Sequence, residues 1–560
     1  MIERFLEQTH FEDMEDFRKN FRLKIPEGFN FAYDVMDAWA EEEPDKLALL
    51  WTNEDGDCKR FTFLDLKNLS NRAASYFSSL GIGRGDMVMI MLGRRYEFWI
   101  TMLALQKIGA IAIPATHLLT DLDIVYRIER AGIKAIVCAG EAYILGHVSK
   151  AVAQCGGLGG TVQTLISIGP EVPPGFHDFQ KEWTSAPDFV RPAERGSNDD
   201  ILLMYFTSGT SGDPKMVAHD QTYALGHLMT GVFWHNLGPD SLHLTIADTG
   251  WGKAVWGKLY GQWFAGAAVF VYDHTRFKAE DILGMIERYR ITSLCAPPTV
   301  FRFLIQEDLS RFDLSSLRYL CTAGEALNGS VYDTMLEKTG LKIHEGFGQT
   351  ETTLTLGTFP WMEPKPGSMG VPSPQYDIVL LDADGEPVPD GQIGEICIRA
   401  LPGQKPCGLF QGYYREPEKT AAIWHGGYYH SCDLAWRDKD GYFWFVGRND
   451  DIIKTSGYRV SPFEVESVLM MHPAVVECAV TGVPDPLRGF VVKATVVLTA
   501  EYRSQAGPEL VKEIQAFVKQ TTAPYKYPRI IEFADELPKT ISGKIRRVEI
   551  RQADGAARRP

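Results

Sequence analysis

Residues 205 to 215 read YFTSGTSGDPK, placing four hydroxyls (Thr207, Ser208, Thr210, Ser211), two glycines (Gly209, Gly212) and Lys215 in one short stretch. Such a stretch can hold a phosphate. The glycines admit the positive backbone dihedrals that let successive N–H groups converge, the hydroxyls donate, and the lysine meets the anion as a point charge. No G-x-x-x-x-G-K-[ST] spacing passes through it, and Met216 follows Lys215, so an ordinary P-loop NTPase is disfavoured.

The apolar run ILLMYF at 201–206 has strand length and predicts a buried strand from which this loop hangs. Upstream, DMVMIML (86–92), YEFWITMLALQKIGA (96–110), IAIP (111–114) and KAIVCAG (134–140) alternate strand-like and helix-like texture, which predicts βαβ units and a largely parallel sheet. GGLGG at 156–160 fails G-x-G-x-x-G and reads as a turn. From about residue 371 the segments DIVLLD, EICIRA and GYFWFVG predict a β-rich subdomain. Beyond Arg448 a small α/β unit is predicted, with helices over FEVESVLMMH (463–472) and ELVKEIQAFVKQ (509–520) and a strand over VVKATVVLT (491–499).

The phosphate-loop stretch resembles that of the adenylate-forming superfamily. It is followed, in that family's order, by Ala323-Gly324-Glu325, GFGQTE (346–351), Asp433, GRNDDIIKTSGYR (447–459) and PKTISGKIRR (538–547). The resemblance covers nearly the whole chain. It implies an α/β protein with a large N-terminal domain, 1–449, made of βαβ-type subdomains and a β-rich subdomain. A small mobile α+β C-terminal domain, 450–560, would follow, with a hinge at Asp450. The implied reaction joins a carboxylic acid to coenzyme A using ATP, through an acyl-adenylate, with AMP and diphosphate leaving.

Attack of a carboxylate on the α-phosphate brings two anions together, so charge neutralisation is the central task. By resemblance, Glu351 holds Mg2+. Thr207 to Gly212 and Lys215 cradle phosphate. Gly324, Glu325 and the run Glu345, Gly346, Phe347, Gly348, Gln349, Thr350 border the adenine and the acyl carboxylate. Asp433 accepts from the ribose hydroxyls with help from Arg448, although Ser431 and Cys432 stand where the family has Thr-Gly. Lys544, in S-G-K, is the implied catalytic cation. Ser456, Gly457 and Tyr458 would line a pantetheine tunnel, and Arg459, Arg488, Tyr525, Lys526 and Tyr527 would serve the coenzyme A phosphates.

FNFAYDVMDAW (29–39), TIADTGW (245–251) and TSGYRVSPFEVE (455–466) look most like medium-chain acyl-CoA synthetases. Acetate-activating relatives carry Trp where this chain has Gly348, so an acyl channel is expected to run past Gly348 toward Trp251. The competing expectation is an adenylation enzyme that passes the acyl group to a carrier-protein pantetheine; no carrier domain is expected after Pro560. A non-catalytic nucleotide sensor would be expected to lose Lys544 or Glu351, and both are present.

The 560 residues are 45% hydrophobic and 23% charged, ordinary globular values. A formal net charge of -15 argues against nucleic acid or an anionic membrane as the main partner. The nine cysteines form no C-x-x-C and read as reduced thiols. No run of about 18 apolar residues predicts a transmembrane segment. The N-terminal MIERFLEQTHFEDMEDF has neither an apolar signal core nor the Arg-rich, acid-poor texture of a transit peptide, so a cytoplasmic address is expected.

Overall fold

The computed structural model describes every residue except 208–213, 326, 401–404, 450, 456–457, 486–487, 540–544 and 557–560. Two compact units divide the chain. The first comprises Met1–Thr207, Lys215–Asp377 and Ala400–Ala422, and the second Ser208–Pro214, Ile378–Arg399 and Ile423–Pro560.

One sheet of the first unit has the strand order Gly412–Tyr413, Lys215–Asp220, Ile201–Thr207, Ile111–Pro114, Met87–Met91, Ala135–Ala139, Thr164–Ile168, His177–Asp178. Pairing is parallel from Ile201–Thr207 outward to His177–Asp178, the signature of helical crossovers. The crossover helices end where their sequences say. Thr120 and Asp123 form a capping box that opens Asp121–Ala131, and Gly132, at φ 72°, closes it. The helix Glu97–Ile108 is buried on every side, its apolar run Phe98–Leu105 broken only by Thr101 and its ends carrying the buried Glu97, Gln106 and Lys107.

The antiparallel pair Ile201–Thr207 and Lys215–Asp220 brings Thr207 opposite Lys215, so both ends of the phosphate-loop stretch are anchored in a ladder. A second sheet in this unit runs Ser368–Pro372, Leu356–Gly357, Ile343–Phe347, Tyr319–Ala323, Ser293–Ala296, Leu242–Thr245, Ala268–Asp273, Leu47–Asn53, Cys58–Thr62. Its parallel centre carries one apolar cluster, including Leu244, Phe270, Leu294, Leu320 and Ile343.

In the second unit, Ile378–Leu381, Ile393–Arg399, Tyr428–Arg437 and Phe443–Arg448 form an antiparallel set. Another sheet has Tyr458–Val460, Ile453–Thr455, Gly489–Leu498 and Val475–Asp485 in order, with Ile530–Phe533 parallel to Gly489–Leu498. Helices Pro462–Leu469 and Pro508–Thr521 cover it through Val465, Leu469, Leu510, Ile514 and Val518. Each predicted strand and helix is present, and the α/β class is as expected. Among the described residues, no helix is long and apolar enough to cross a membrane.

Candidate active site

Lys215 opens its strand and holds its ammonium 4.8 Å from the centre of the Tyr413 ring. The same tyrosine donates its hydroxyl to Oε1 of Glu351 (2.9 Å), and the backbone oxygen of Glu351 accepts from Phe410 N (2.8 Å). The structure therefore joins two of the residues singled out by sequence, a cation and a carboxylate, through an aromatic residue that no motif marks. Thr207 ends the neighbouring strand. Ser208, Gly209, Thr210, Ser211 and Gly212 lie outside the described residues.

Beside Glu351, Thr350 is held by His219, whose Nε2–H donates to the Thr350 carbonyl (2.7 Å). Burial lowers the His219 pKa to about 3, so the ring is neutral at physiological pH and works as a fixed donor. It stacks on Tyr223 at 3.6 Å. Gln349 N donates to Thr352 Oγ1 (3.0 Å), closing the turn after the strand Ile343–Phe347. Gly324, at φ 106°, turns the chain sharply after the strand Tyr319–Ala323. Glu325 is exposed, accepting from Thr299 (3.2 Å), with Arg302 at 3.6 Å.

Glu345 is buried, and its carboxylate links two segments: Oε2 accepts from Leu327 N (3.0 Å) and Oε1 from Gly367 N (2.5 Å). Burial pushes this carboxyl up to about 8 against the opposing pull of both N–H donors. Glu345→Ala leaves one buried and one half-buried N–H without an acceptor and should cost about 1–3 kcal/mol of stability, read from the denaturant midpoint. The folded pKa lies above the unfolded value of about 4.3, so the carboxyl's stabilising contribution is full below that value. It is lost as pH rises through about 8, and Glu345→Gln should flatten this slope.

Gly346 and Gly348 lie against indoles. A Cβ on Gly346 would fall 2.5 Å from Cζ2 of Trp234, and one on Gly348 would fall 2.2 Å from Cη2 of Trp256 and 2.7 Å from the Thr353 carbonyl. Gly348 is not in the left-handed region, so packing rather than backbone conformation excludes a side chain there. The space expected past Gly348 toward Trp251 is thus taken at Gly348 by Trp256, which lies in the last turn of the helix Gly252–Lys258. Trp251 itself is half-buried at the N-cap of that helix. The sequence shows which side chain is missing and cannot show which neighbour takes the space.

In the second unit, Asp433 and Arg448 are direct cross-strand partners, with Arg448 Nη1 3.9 Å from Asp433 Oδ1 and Asp433 5% exposed. The Ser431–Cys432 departure has a clear local form. Cys432 takes φ 61°, a left-handed conformation that glycine would adopt without strain. Its N–H donates to Glu395 Oε1 (2.8 Å), its carbonyl accepts from Asn449 N (2.9 Å), and Ser431 Oγ accepts from Asp433 N (3.1 Å). These bonds hold the turn that presents Asp433.

Tyr458 and Tyr525 stack in parallel at 4.2 Å and are both exposed. Lys526 pairs with Glu464 and also lies 5.7 Å from the Tyr525 ring. Arg488 faces Asp485 at 3.8 Å, and Tyr527 accepts from Arg529 (3.0 Å). Arg459 lies in the strand Tyr458–Val460. Asp450, Ser456, Gly457 and Lys544 lie outside the described residues. Sequence reasoning passed over Tyr413, His219, Trp234 and Trp256, because each reaches its partner from a distant stretch of chain.

The α/β sheets, with a Thr207/Lys215 ladder and a Glu351 turn in one unit and a cross-strand Asp433–Arg448 pair in the other, fit the class of AMP-forming acid–thiol ligases. The model of the AMP-binding enzyme family matches residues 36–414 and that of the AMP-binding enzyme C-terminal domain matches 464–544, and the chain belongs to this family. It is 42% identical over 552 residues to the mitochondrial acyl-coenzyme A synthetase ACSM3 of Homo sapiens, covering 97% of this chain and 93% of that one. It is also 42% identical over 537 residues to the mitochondrial acyl-coenzyme A synthetase ACSM5 of Rattus norvegicus, covering 95% and 91%. Among solved structures it is similar to the anthranilate CoA ligase AuaEII in complex with anthranoyl-AMP, with a TM-score of 0.84, 29% identity, and 95% and 98% coverage. A benzoate CoA ligase from Burkholderia xenovorans LB400 matches with a TM-score of 0.79, 27% identity, and 93% and 100% coverage.

The protein is an ATP-dependent acyl-CoA synthetase that works through an acyl-adenylate, with ATP, coenzyme A and a small carboxylic acid as substrates. The cytoplasmic address expected from the N-terminal texture is overturned, since the curated relatives are mitochondrial proteins.

Proposed function

We propose that the acid activated is apolar: medium-chain, short branched or aromatic. The observation that carries this reading is the pair of indoles, Trp234 and Trp256, packed against Gly346 and Gly348 in the segment assigned by resemblance to the acyl carboxylate. A flat, apolar wall suits alkyl chains and aromatic rings and offers a charged tail nothing. The anthranilate and benzoate ligases among the solved relatives agree with it. Single methylenes are discriminated by only about 1–3 kcal/mol in such walls, so a broad range of acids is expected.

Within this reading Glu351 holds Mg2+. The half-buried carboxylate, steadied through Oε1 by Tyr413, fits an ion that takes one or two carboxylates and completes its shell with water and phosphate. When bound, Mg2+ neutralises phosphate charge. Lys215 and the hydroxyls around it bind the phosphates, Asp433 orients the ribose through its hydroxyls with Arg448 beside it, and the His219-fixed Thr350 carbonyl segment borders the carboxylate. Lys544 supplies the cation where acid and α-phosphate meet. Tyr458, Tyr525, Lys526, Tyr527, Arg459 and Arg488, with Ser456 and Gly457, receive coenzyme A, and the 1–449 and 450–560 domains exchange between half-reactions about Asp450. We assign the enzyme the mitochondrial address of its relatives.

The test is pyrophosphate release with linear acids from acetate to decanoate, branched acids and benzoates, with and without coenzyme A. Turnover stimulated by coenzyme A and highest on acids beyond propionate is expected. Release without such stimulation would instead support transfer to a carrier-protein pantetheine. Glu351→Gln should raise the Mg2+ concentration needed for half-maximal activity by at least about tenfold; an unchanged requirement would move the ion elsewhere.

A further inference from the structure

The antiparallel strands Ile393–Arg399 and Tyr428–Arg437 gather three groups to which the reaction above gives no direct contact with substrate. Glu395 and Cys397 are two residues apart and share one face of their strand, and Cys397 is the cross-strand partner of His430. His430 Nδ1 stands 3.4 Å from Cys397 Sγ and 3.2 Å from Glu395 Oε2, and the three donor atoms all lie within 4.8 Å of one another. A tetrahedral zinc ion, with Zn–N about 2.0–2.1 Å and Zn–S about 2.3 Å, sets ligand edges of roughly 3.3 Å for N···O and roughly 3.6 Å for N···S. The two distances from His430 are close to those edges.

The surroundings are those of held ligands. Cys397 is fully buried, while the side chains of His430 and Glu395 keep 13% and 18% exposure, enough for a water to enter. The His425 ring stacks on His430 at 3.8 Å and fixes its plane. Glu395 Oε1 is taken by the Cys432 N–H (2.8 Å), which orients the carboxylate and leaves Oε2 toward the imidazole. Outer hydrogen bonds of this kind are what aim ligands at a metal. The strand register also shifts between Glu395 and Cys397, a bulge that re-aims side chains locally.

We propose that Glu395 Oε2, Cys397 Sγ and His430 Nδ1 form a site for a borderline divalent cation of the Zn2+ class, with water in a fourth position. Binding displaces the Cys397 thiol proton to solvent and forms a thiolate–metal bond, so no oxidant or reductant is involved. A mixed S, N and O set favours Zn2+ over Mg2+ or Ca2+, which prefer oxygen alone.

The test uses the full-length protein carrying Cys58→Ser, because Cys58 is exposed and would bind metal on its own. Co2+ serves as the probe. The expected result is one equivalent bound, a near-ultraviolet thiolate-to-cobalt charge-transfer band, and displacement by Zn2+ but not by Mg2+. Adding Cys397→Ser should abolish the band, and adding His430→Gln should weaken Co2+ binding by at least about tenfold. Lack of the band in the Cys58→Ser protein, or its persistence in the Cys397→Ser variant, would overturn the proposal. Should Cys397→Ser fail to fold, unchanged Co2+ affinity in the His430→Gln variant would overturn it equally.

Discussion

Lys544→Ala should lower the rate of acyl-adenylate formation by about 10²–10³, equivalent to roughly 2.7–4 kcal/mol of transition-state stabilisation. Two anions must meet at the α-phosphate, and the lysine of PKTISGK is the cation that resemblance puts there. A positioned cation acts only where charge develops, so the loss should appear in kcat as well as in kcat/KM. Thioester formation from a preformed acyl-adenylate and coenzyme A involves no such meeting of anions and should stay close to the unmodified rate. Acetylation of Lys544 removes the same charge and should act like the mutation. Each half-reaction is measured alone, by pyrophosphate exchange and by thioester release. Equal loss in both would contradict the division of labour, and no loss in either would make Lys544 part of a basic tail.

The second large effect concerns chain length. Trp256 occupies the space that a side chain at Gly348 would need, so truncating the indole should open room for roughly four methylenes. At about 0.8 kcal/mol each, Trp256→Gly should raise kcat/KM for octanoate relative to butyrate by roughly 200-fold. Gly348→Ala should do the opposite of opening a channel: its Cβ meets Trp256 Cη2 at 2.2 Å, and the variant should lose activity on all acids. Adding Trp256→Leu to Gly348→Ala should recover only part of that loss, since the indole clash is gone while the Thr353 carbonyl stays 2.7 Å from the new Cβ. The profile across acids and the thermal midpoint are measured together, because removing a buried Trp costs about 3–5 kcal/mol. A folded Trp256→Gly variant with an unchanged octanoate-to-butyrate ratio would show that the acyl chain runs elsewhere.

Both predictions join a local sequence feature to a distant neighbour, and that division recurs through the molecule. Strand Ile201–Thr207 was legible as an apolar run, and helix Asp121–Ala131 through Thr120, Asp123 and the closing Gly132, because strand burial and helix capping are settled within a few residues. The phosphate-loop stretch could be singled out from sequence because its hydroxyls, glycines and lysine are contiguous, and the structure describes only its ends, Thr207 and Lys215 among them. Family order then gave roles to Glu351, Asp433 and Lys544. What a residue touches across the fold was out of reach. The sequence could not show that Tyr413 connects Lys215 to Glu351, or that His219 fixes Thr350 as a neutral donor.

Nor could it show that Cys432 takes the left-handed conformation with Glu395 as its anchor, since φ there is set by the strand register and not by residue type. Gly348 states the limit most plainly. The missing side chain is a property of the sequence, whereas whether its place is void or filled depends on where Trp256 packs, a long-range choice made by close packing of the whole unit. The same physics makes Glu345 reluctant to ionise. An identical glutamate on the surface would titrate normally, and only burial raises its pKa to about 8, against the opposing pull of the Leu327 and Gly367 N–H donors.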